Sequence, residues 1–494
     1  MRGQEQHNPP SDDGLGAKAA RLPRRGLESV ARASWWGVRR LSAPMRQDRR
    51  GMALLLAMVA IAVMSVSVVE FAYQTRVNVF VAANARDDLK AFYLARSGMN
   101  LGVLLLDFQF ELERDPLIGR FMRRSNFQLY PLVNLLLTPF QSGRLDTPIG
   151  GIDLGDSGAR GFGGFHGSFE LSIEPEEGKV NINRFNDQSL DQATMTQLCI
   201  LMQGEQHNDL FETDLLDSAY KVNRNQLIGN IVDWVDGNST RVLLNDFCIP
   251  EGEGSGDEST PYARHDADYE VKNAKMTTIE ELRMVHGFND LLYERFAESF
   301  TVYPVDKINL NLANFFVIQS LLCSNVAGVS ADNWPCRDPN VAFQVLYLSL
   351  ALDGVREFFA NPLNLLFYYM NSENAPAPLD GAKKGQTVAY LNTRQLLNYI
   401  NTFKTNPIQL QQFIAYSPTA RTLLGPEMIA QLAVNVPQLI IDFDTRSMLR
   451  RVTTQSPKVF KIVATGTYGN TTKTLVSVVD FSRQDSRFLY YREY

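Results

Sequence analysis

Between Met52 and Val69 the chain runs for about 18 residues without a charge, almost all apolar, and the run stops at Glu70. As a helix it would rise ~27 Å at ~1.5 Å per residue, enough for the ~30 Å hydrocarbon layer of a bilayer. The pattern then changes without a break. No proline occurs from Met52 to Asp115, and Val77, Phe80, Val81, Ala91, Tyr93, Leu94, Met99, Leu101, Leu104 and Leu105 recur at helical spacing around a polar patch of Arg86, Asp87, Asp88 and Lys90. This predicts one helix, apolar all round over 52–70 and amphipathic over 71–110. Other apolar stretches, "NLLFYYM" and "LYLSLAL", are too short to span and read as core.

Period-two patterns mark strands near both ends of the chain beyond this helix. "FHGSFELSIEPEEGKVNIN" alternates around Glu176 to Gly178 and predicts a hairpin; "KVFKIVATGTYGNTTKTLVSVVDFS" predicts a second, with Tyr468-Gly469-Asn470 at its turn. The residues between them carry mainly helical patterns. The fold expected is α+β: a long helix packed on an antiparallel sheet that is split by a large α-helical insertion. Two similar stretches, "KVNIN" and "KINLN", put asparagines at strand ends, where such residues serve as caps or Asx-turns at strand-to-helix corners. In "MTTIEELRMVHGFNDLLYERF" Thr278 with Glu281 predicts a capping box, Gly287 a stop, and Asn289 or Asp290 a second start, the outline of a helix-hairpin-helix.

Charge sets orientation and removes some functions. Residues 1–51 hold eleven Lys or Arg against five Asp or Glu, about +6, which leaves about −12 for the rest of a chain whose net charge is −6. The basic side is expected to stay in the cytoplasm. Residues 1–44, rich in Arg, Gly, Ser and Pro, are expected to be disordered, and Met45 offers an alternative start. The acidic remainder, with no Lys or Arg cluster beside "VHGF", argues against duplex DNA as a ligand. No nucleophile elbow, phosphate loop or H-E-x-x-H is present, so an enzyme is not expected. Acidic residues gather between Asp233 and Asp268 in Gly-containing loops, a composition that suits Ca²⁺ although the spacing is not that of an EF-hand. Four cysteines lie beyond the span; Cys323 with Cys336 would close a short loop and Cys199 with Cys248 would tie the acidic loop to a helix, but three pairings are open.

"RRGMALLL" resembles the type IV prepilin signature, in which a basic leader ends at a Gly cut by prepilin peptidase. Gly51 would be the last leader residue and Met52 the new, N-methylated terminus; an ordinary signal anchor is the competing reading. Four later stretches, "GSFELSIEPEEGKVNINRFN", "NIVDWVDGNST", "YEVKNAKMTTIEELRMVHGFNDLLYERFAESFTVY" and "DKINLNLAN", occur in an order similar to that of protein K of the type II secretion system, a large minor pseudopilin.

The resemblance implies a bacterial inner-membrane protein with a single pass and a periplasmic C-terminal domain. It would act at the pseudopilus tip with minor pseudopilins I and J, start assembly with other pseudopilins on the inner-membrane platform, and serve the export of folded proteins. The implied layout is a cytoplasmic leader 1–51, a membrane segment 52–70, its amphipathic continuation 71–110, a pilin-like region with the first hairpin 111–186, a SAM/helix-hairpin-helix-like insertion 187–440 and a terminal hairpin 441–494. It implies Ca²⁺ in the insertion, with Asp233, Asp236, Asn238, Asp266 and Asp268 matching the acidic pattern. Leu56 stands at the fifth mature position, where most pilins have Glu; protein K commonly lacks it. A carboxylate in lipid is costly unless paired, and a tip subunit has no subunit above it to pair with. A minor pilin of a type IV pilus and a membrane-anchored DNA-binding protein are the alternatives.

Overall fold

A computed structural model describes residues 51–125, 128–133, 144–147, 150–153, 167–186, 192–203, 207–212, 223–245, 248–262, 269–328, 336, 338–361, 364, 379–380, 382–383, 386, 388–425, 427, 429, 438–483 and 485–494. The leader and its expected disorder lie outside them. In chain order the elements are α1 (Met52–Arg114), α2 (Ile118–Ser125), β1 (Arg144–Thr147), β2 (Gly150–Asp153), β3 (Gly167–Pro175), β4 (Val180–Asn181), α3 (Gln192–Gln203), α4 (Asn208–Glu212) and α5 (Arg224–Val235). They continue with β5 (Thr240–Leu244), β6 (Pro250–Asp257), α6 (Asp290–Phe296), β7 (Phe300–Thr301), β8 (Ile308–Asn309), α7 (Phe315–Cys323) and α8 (Pro339–Ala360). The last are α9 (Arg394–Thr405), α10 (Pro407–Tyr416), α11 (Pro418–Leu423), α12 (Thr445–Arg451), β9 (Val452–Thr453), β10 (Val459–Tyr468), β11 (Thr471–Asp480) and β12 (Arg487–Glu493).

The predicted single helix is present as α1, and it alone among the described residues is long and apolar enough to cross a membrane. Its first part, through Ala83, is a unit by itself whose apolar side chains from Met52 to Val81 are exposed.

In the second unit, 84–494, the later part of α1 packs on a four-stranded antiparallel sheet of order β12-β11-β10-β3. Of the apolar residues noted at helical spacing, Ala91 and Met99 are buried and Leu94, Leu101 and Leu105 are half-buried against the core of the sheet. Tyr93 and Leu104 are exposed; the residues that reach the sheet are Ala91, Ala95, Gly98, Met99, Gly102, Leu106 and Phe110. Small residues win here because the backbones approach closely. A Cβ on Gly466 of β10 would collide with the Ala91 carbonyl and the Ala95 amide, and one on Gly98 would sit 2.9 Å from the Phe169 ring. The charged patch caps the β10–β11 hairpin: Lys90 Nζ donates to the Tyr468 hydroxyl (2.8 Å), and Asp88 pairs with Lys473 (3.3 Å). That hairpin turns on Gly469-Asn470, with Gly469 at φ +60°, the left-handed conformation that a two-residue turn requires.

The first predicted hairpin does not form. β3 pairs with β10, while β4 turns away after Glu176 to Gly178 and pairs in parallel with β7. Alternation is real on both sides of the turn, but the two halves serve different cores. One core joins α1 to the sheet; the other runs from Val180 to Val452 and contains the helices. The core of the helical part runs from β4 to β9.

That helical part is built twice. In the first unit β4 pairs with β7, and in the second β8 pairs with β9, each a two-residue parallel bridge between the unit's start and its end. The two asparagines of each "N-x-N" repeat their duties. Asn181 and Asn309 each accept a hydrogen bond from the amide two residues on (3.0 and 3.1 Å), the Asx-turn expected. Asn183 and Asn311 do something the sequence pattern does not announce: each grips a distant peptide at both of its groups, Met276 for the first (2.7 and 2.8 Å) and Tyr390 for the second (2.9 and 2.9 Å). The residue after the gripped one then donates its amide to a side chain four positions on, Thr277 to Glu281 and Leu391 to Gln395. The predicted Thr278–Glu281 capping box is accordingly absent, because Glu281 is engaged by Thr277 and Lys272 instead. Gly287 does stop that turn, at φ +86°, and Asn289 caps α6.

Candidate functional site

Three carboxylates converge at the end of α5. Asn223 and Gln226 form a capping box that starts this helix, and its buried apolar face then carries Asp233 and, just past its end, Asp236 to the interior. Gly229 lets β5 cross α5 closely, since a Cβ there would lie 2.5 Å from the Val242 carbonyl oxygen. The β5–β6 hairpin returns to place Glu258 opposite, so that one oxygen from each of Asp233, Asp236 and Glu258 lies within 4.8 Å of the others, all three residues buried.

Some of these oxygens are committed and others are not. Asp233 Oδ1 accepts from the Val242 amide (2.8 Å) and Asp236 Oδ2 from the Asn238 side chain (2.9 Å). Asp236 Oδ1 and both Glu258 oxygens are buried with no hydrogen-bond partner, as is Asn273 Oδ1, on a residue held at φ +47° whose Nδ2 donates to the Asn238 carbonyl. Burial pushes all three carboxyls up: Asp233 to about 8, further raised by Glu258 and Asp236; Asp236 to about 6; and Glu258 to about 7, further raised by Asp236 and Asp257. A buried anion with no partner is costly, and three together resist ionising. Such a set of oxygen donors, with no His or Cys among them, fits a hard divalent cation rather than zinc.

Of the residues expected to ligate, the structure brings Asp233 and Asp236 together. Asn238 braces the site instead, donating to Asp236 and accepting from the Thr240 amide (2.7 Å). Asp266 and Asp268 lie outside the described residues. Glu258 escapes a reading of the sequence, being one of many acids in its loop with no periodicity to single it out. Cys199 is bonded to Cys248, which sits between β5 and β6, and Cys323 to Cys336. The first bond anchors to α3 the hairpin that delivers Glu258. At the start of α1, Gly51 has open space around its α-carbon, and Met52 and Leu56 are exposed.

Residues 178–305, the first of the two helical units, match the family described as type II secretion system protein K. The chain is similar to that family over these 128 of its 494 residues. The acidic centre and Asn183 both fall inside the protein K match, and the match ends where the second helical unit begins. Among solved structures the chain is similar to one in "The Crystal Structure of the GspK-GspI-GspJ complex from enterotoxigenic Escherichia coli Type 2 Secretion System", at 12% identity, over 84% of this chain and 99% of that one, with a TM-score of 0.41. No curated protein matches the chain. A protein K is a minor pseudopilin, a structural component of secretion, and one long apolar N-terminal helix fits a membrane anchor in such a component.

Proposed function

We propose that this chain is the minor pseudopilin that occupies the pseudopilus tip, assembling there with minor pseudopilins I and J and starting fibre growth for the export of folded proteins. The observation that carries this reading is the protein K match over 178–305 behind a helix whose side chains from Met52 to Val81 are free to meet lipid and neighbouring helices. Prepilin peptidase would cut after Gly51, leaving Met52 as the mature terminus in a single-pass inner-membrane protein with its large domain in the periplasm. Leu56 then presents no carboxylate to a subunit above, which suits an end position. A helical part of nearly three hundred residues beside a four-stranded sheet is bulk that a fibre interior would not accept.

Ca²⁺ would be held by Asp233, Asp236 and Glu258, with the Asn273 side-chain oxygen turned to the same region. When bound, the ion supplies the positive charge that allows three buried carboxylates to ionise together. The protein's own part is to hold the donors apart from water: Val242 and Asn238 orient the two aspartates, and the Cys199–Cys248 bond fixes the hairpin that ends at Glu258.

The reading is tested by isolating the membrane form. N-terminal sequencing is expected to begin at Met52, cross-linking to recover the minor pseudopilins I and J, and Gly51→Leu to leave an unprocessed precursor and abolish secretion. A mature chain that starts upstream, or one recovered without such companions, would overturn it.

A further inference from the structure

The β5–β6 hairpin is held at its two ends by different chemistry. At the open end Thr240 pairs with Asp257, and Glu258, the next residue, completes the acidic centre with Asp233 and Asp236. At the closed end the turn from Asn245 to Ile249 carries Cys248, bonded to Cys199 on α3. Both cysteines are buried.

The two strands differ in what fixes them. β5 is tied to α5, since the Val242 amide donates to Asp233 Oδ1 and Asn225 Nδ2 donates to the Asn245 carbonyl (2.9 Å). β6, which delivers Glu258, reads "PEGEGSGD", a Gly-rich strand with no apolar alternation to set its register. Its ladder with β5 slips twice: the step from Thr240 to Val242 faces Asp257 to Glu253, and that from Val242 to Leu244 faces Glu253 to Pro250. The strand is therefore placed by its flanks. Tyr262 beyond it is buried against Trp234, and Cys248 before it holds a left-handed conformation (φ +55°) that a residue with a side chain adopts at a cost. Opening the disulfide releases one of these two anchors. A slip of one residue would move Glu258 by ~3.4 Å, enough to take its oxygens out of the group that now lies within 4.8 Å.

We infer that the Cys199–Cys248 disulfide gates the acidic centre: the centre takes a divalent cation tightly when this bond is formed and loses affinity when it is reduced, and the bound cation in turn protects the bond. The inference rests on the reading of that centre as a Ca²⁺ site. Reduction by a dithiol takes two electrons and two protons from the reductant. One reductant sulfur attacks a cysteine sulfur, its second sulfur breaks the mixed disulfide so formed, and the products are the Cys199 and Cys248 thiols and the oxidised, cyclic reductant. With both cysteines buried, attack requires the hairpin to open first, and a cation joining Glu258 to Asp233 and Asp236 opposes that opening. A centre gated in this way fills only once the chain has reached an oxidising compartment.

The test uses the full oxidised chain in detergent micelles. Calorimetry with Ca²⁺ is expected to show an affinity that falls about fivefold or more when Cys199→Ala and Cys248→Ala are combined, the lower end of typical coupling between two sites. Cys323→Ala with Cys336→Ala, which removes the bond of the second helical unit, is expected to leave the affinity unchanged. A second measurement needs no variant to fold. In the wild-type chain exposed to dithiothreitol, saturating Ca²⁺ is expected to slow reduction of Cys199–Cys248 by about fivefold or more and to leave Cys323–Cys336 unaffected, as alkylation and peptide mass spectrometry read. No Ca²⁺ binding by the oxidised wild type would overturn the Ca²⁺ reading and this inference together. Full affinity in the Cys199 and Cys248 double variant, or reduction of that bond at one rate with and without Ca²⁺, would overturn this inference and leave the Ca²⁺ reading standing.

Discussion

Replacing Asn183 tests whether the grip on a remote peptide, rather than the local turn, holds the first helical unit together. This buried side chain makes three bonds to groups more than 90 residues away: Nδ2 to the Met276 and Val302 carbonyls (2.8 and 2.5 Å), and Oδ1 from the Met276 amide (2.7 Å). Asn183→Ala removes all three and leaves their partners inside the core. At about 1 kcal/mol net for each bond, and more where a partner stays unpaired, the loss is about 3–5 kcal/mol. Asn183→Asp is the sharper variant. It keeps the acceptor for Met276 but turns a carboxylate oxygen toward two carbonyls, so the buried carboxyl prefers its protonated form, which can donate to one of them. Its deficit is therefore expected to shrink from pH 8 to pH 5, whereas that of the alanine variant shifts little relative to wild type. Asn311→Ala, which gives up two bonds to Tyr390, should cost about 2–3 kcal/mol. Urea unfolding of the full chain in detergent, followed by tryptophan fluorescence, measures each difference. A loss below about 1 kcal/mol for Asn183→Ala, or identical pH profiles for the two Asn183 variants, would refute the clamp.

Three further outcomes rest on the geometry. Chelation should lower the melting temperature of the wild type and Ca²⁺ should restore it, by about 2.7 kcal/mol at a hundredfold excess over the dissociation constant; Glu258→Gln should abolish most of that response, and calorimetry reads both. Burial raises Glu177 to about 7, against the bonds its Oε1 accepts from Lys458 and Val459, so the folded state holds this proton more tightly than the unfolded chain. Its contribution is thus fully present below about pH 4.5 and is lost as pH rises through about 7; Glu177→Gln, which keeps the acceptor, should gain about 1–3 kcal/mol over wild type at pH 8 and nothing at pH 4, as pH-dependent unfolding would show. Gly466→Ala should cost about 3 kcal/mol or more, because the new methyl meets helix backbone that cannot swing aside; a melting shift under 2 °C would contradict the close packing of α1 on β10.

The parts of this fold that can be read from sequence are those written in short-range pattern. The long apolar helix, the β10–β11 hairpin with its Gly469 turn, and the Asx-turns at Asn181 and Asn309 each depend on neighbours a few residues away. What escapes depends on distance. The partner of β3 is β10, almost three hundred residues on, and nothing in "FELSIEP" distinguishes that pairing from a hairpin with "KVNIN". The buried stripe of α1 is only partly the apolar one, for another reason: Tyr93 and Leu104 are larger and more apolar than Gly98 and Gly102, yet a helix lying flat on a sheet needs small residues at the closest contact. That stripe, Ala91, Ala95, Gly98, Gly102, is visible in the sequence as small residues three and four apart once close approach is weighed above hydrophobicity. At the acidic centre, Asp233 and Asp236 stand in the acidic pattern that the resemblance implies; Glu258 does not, since only the β5–β6 return brings it there.

The two cores meet through two chain crossings, and their chemistry argues for a rigid junction rather than a hinge. The chain leaves the sheet between Pro175 and Val180 and re-enters it between Thr453 and Val459, and Glu177 ties the two passages together. Its side chain takes the amides of Lys458 and Val459, and its carbonyl takes the amide of Asn309 at the start of the second helical unit (2.7 Å). Gly178, the next residue, lies so close to that unit that a Cβ would come within 2.6 Å of the Leu312 carbonyl oxygen. Asn309 in turn donates its side-chain amide to the Gln455 carbonyl (2.7 Å) in the returning link between β9 and β10. A loose linker would leave these backbone groups to water; here each crossing is bonded to the other and to the duplicated helical part. Load placed on the helical part is therefore passed through Glu177 and Asn309 to β3 and β10, and from β10 through the Gly466 contact to α1.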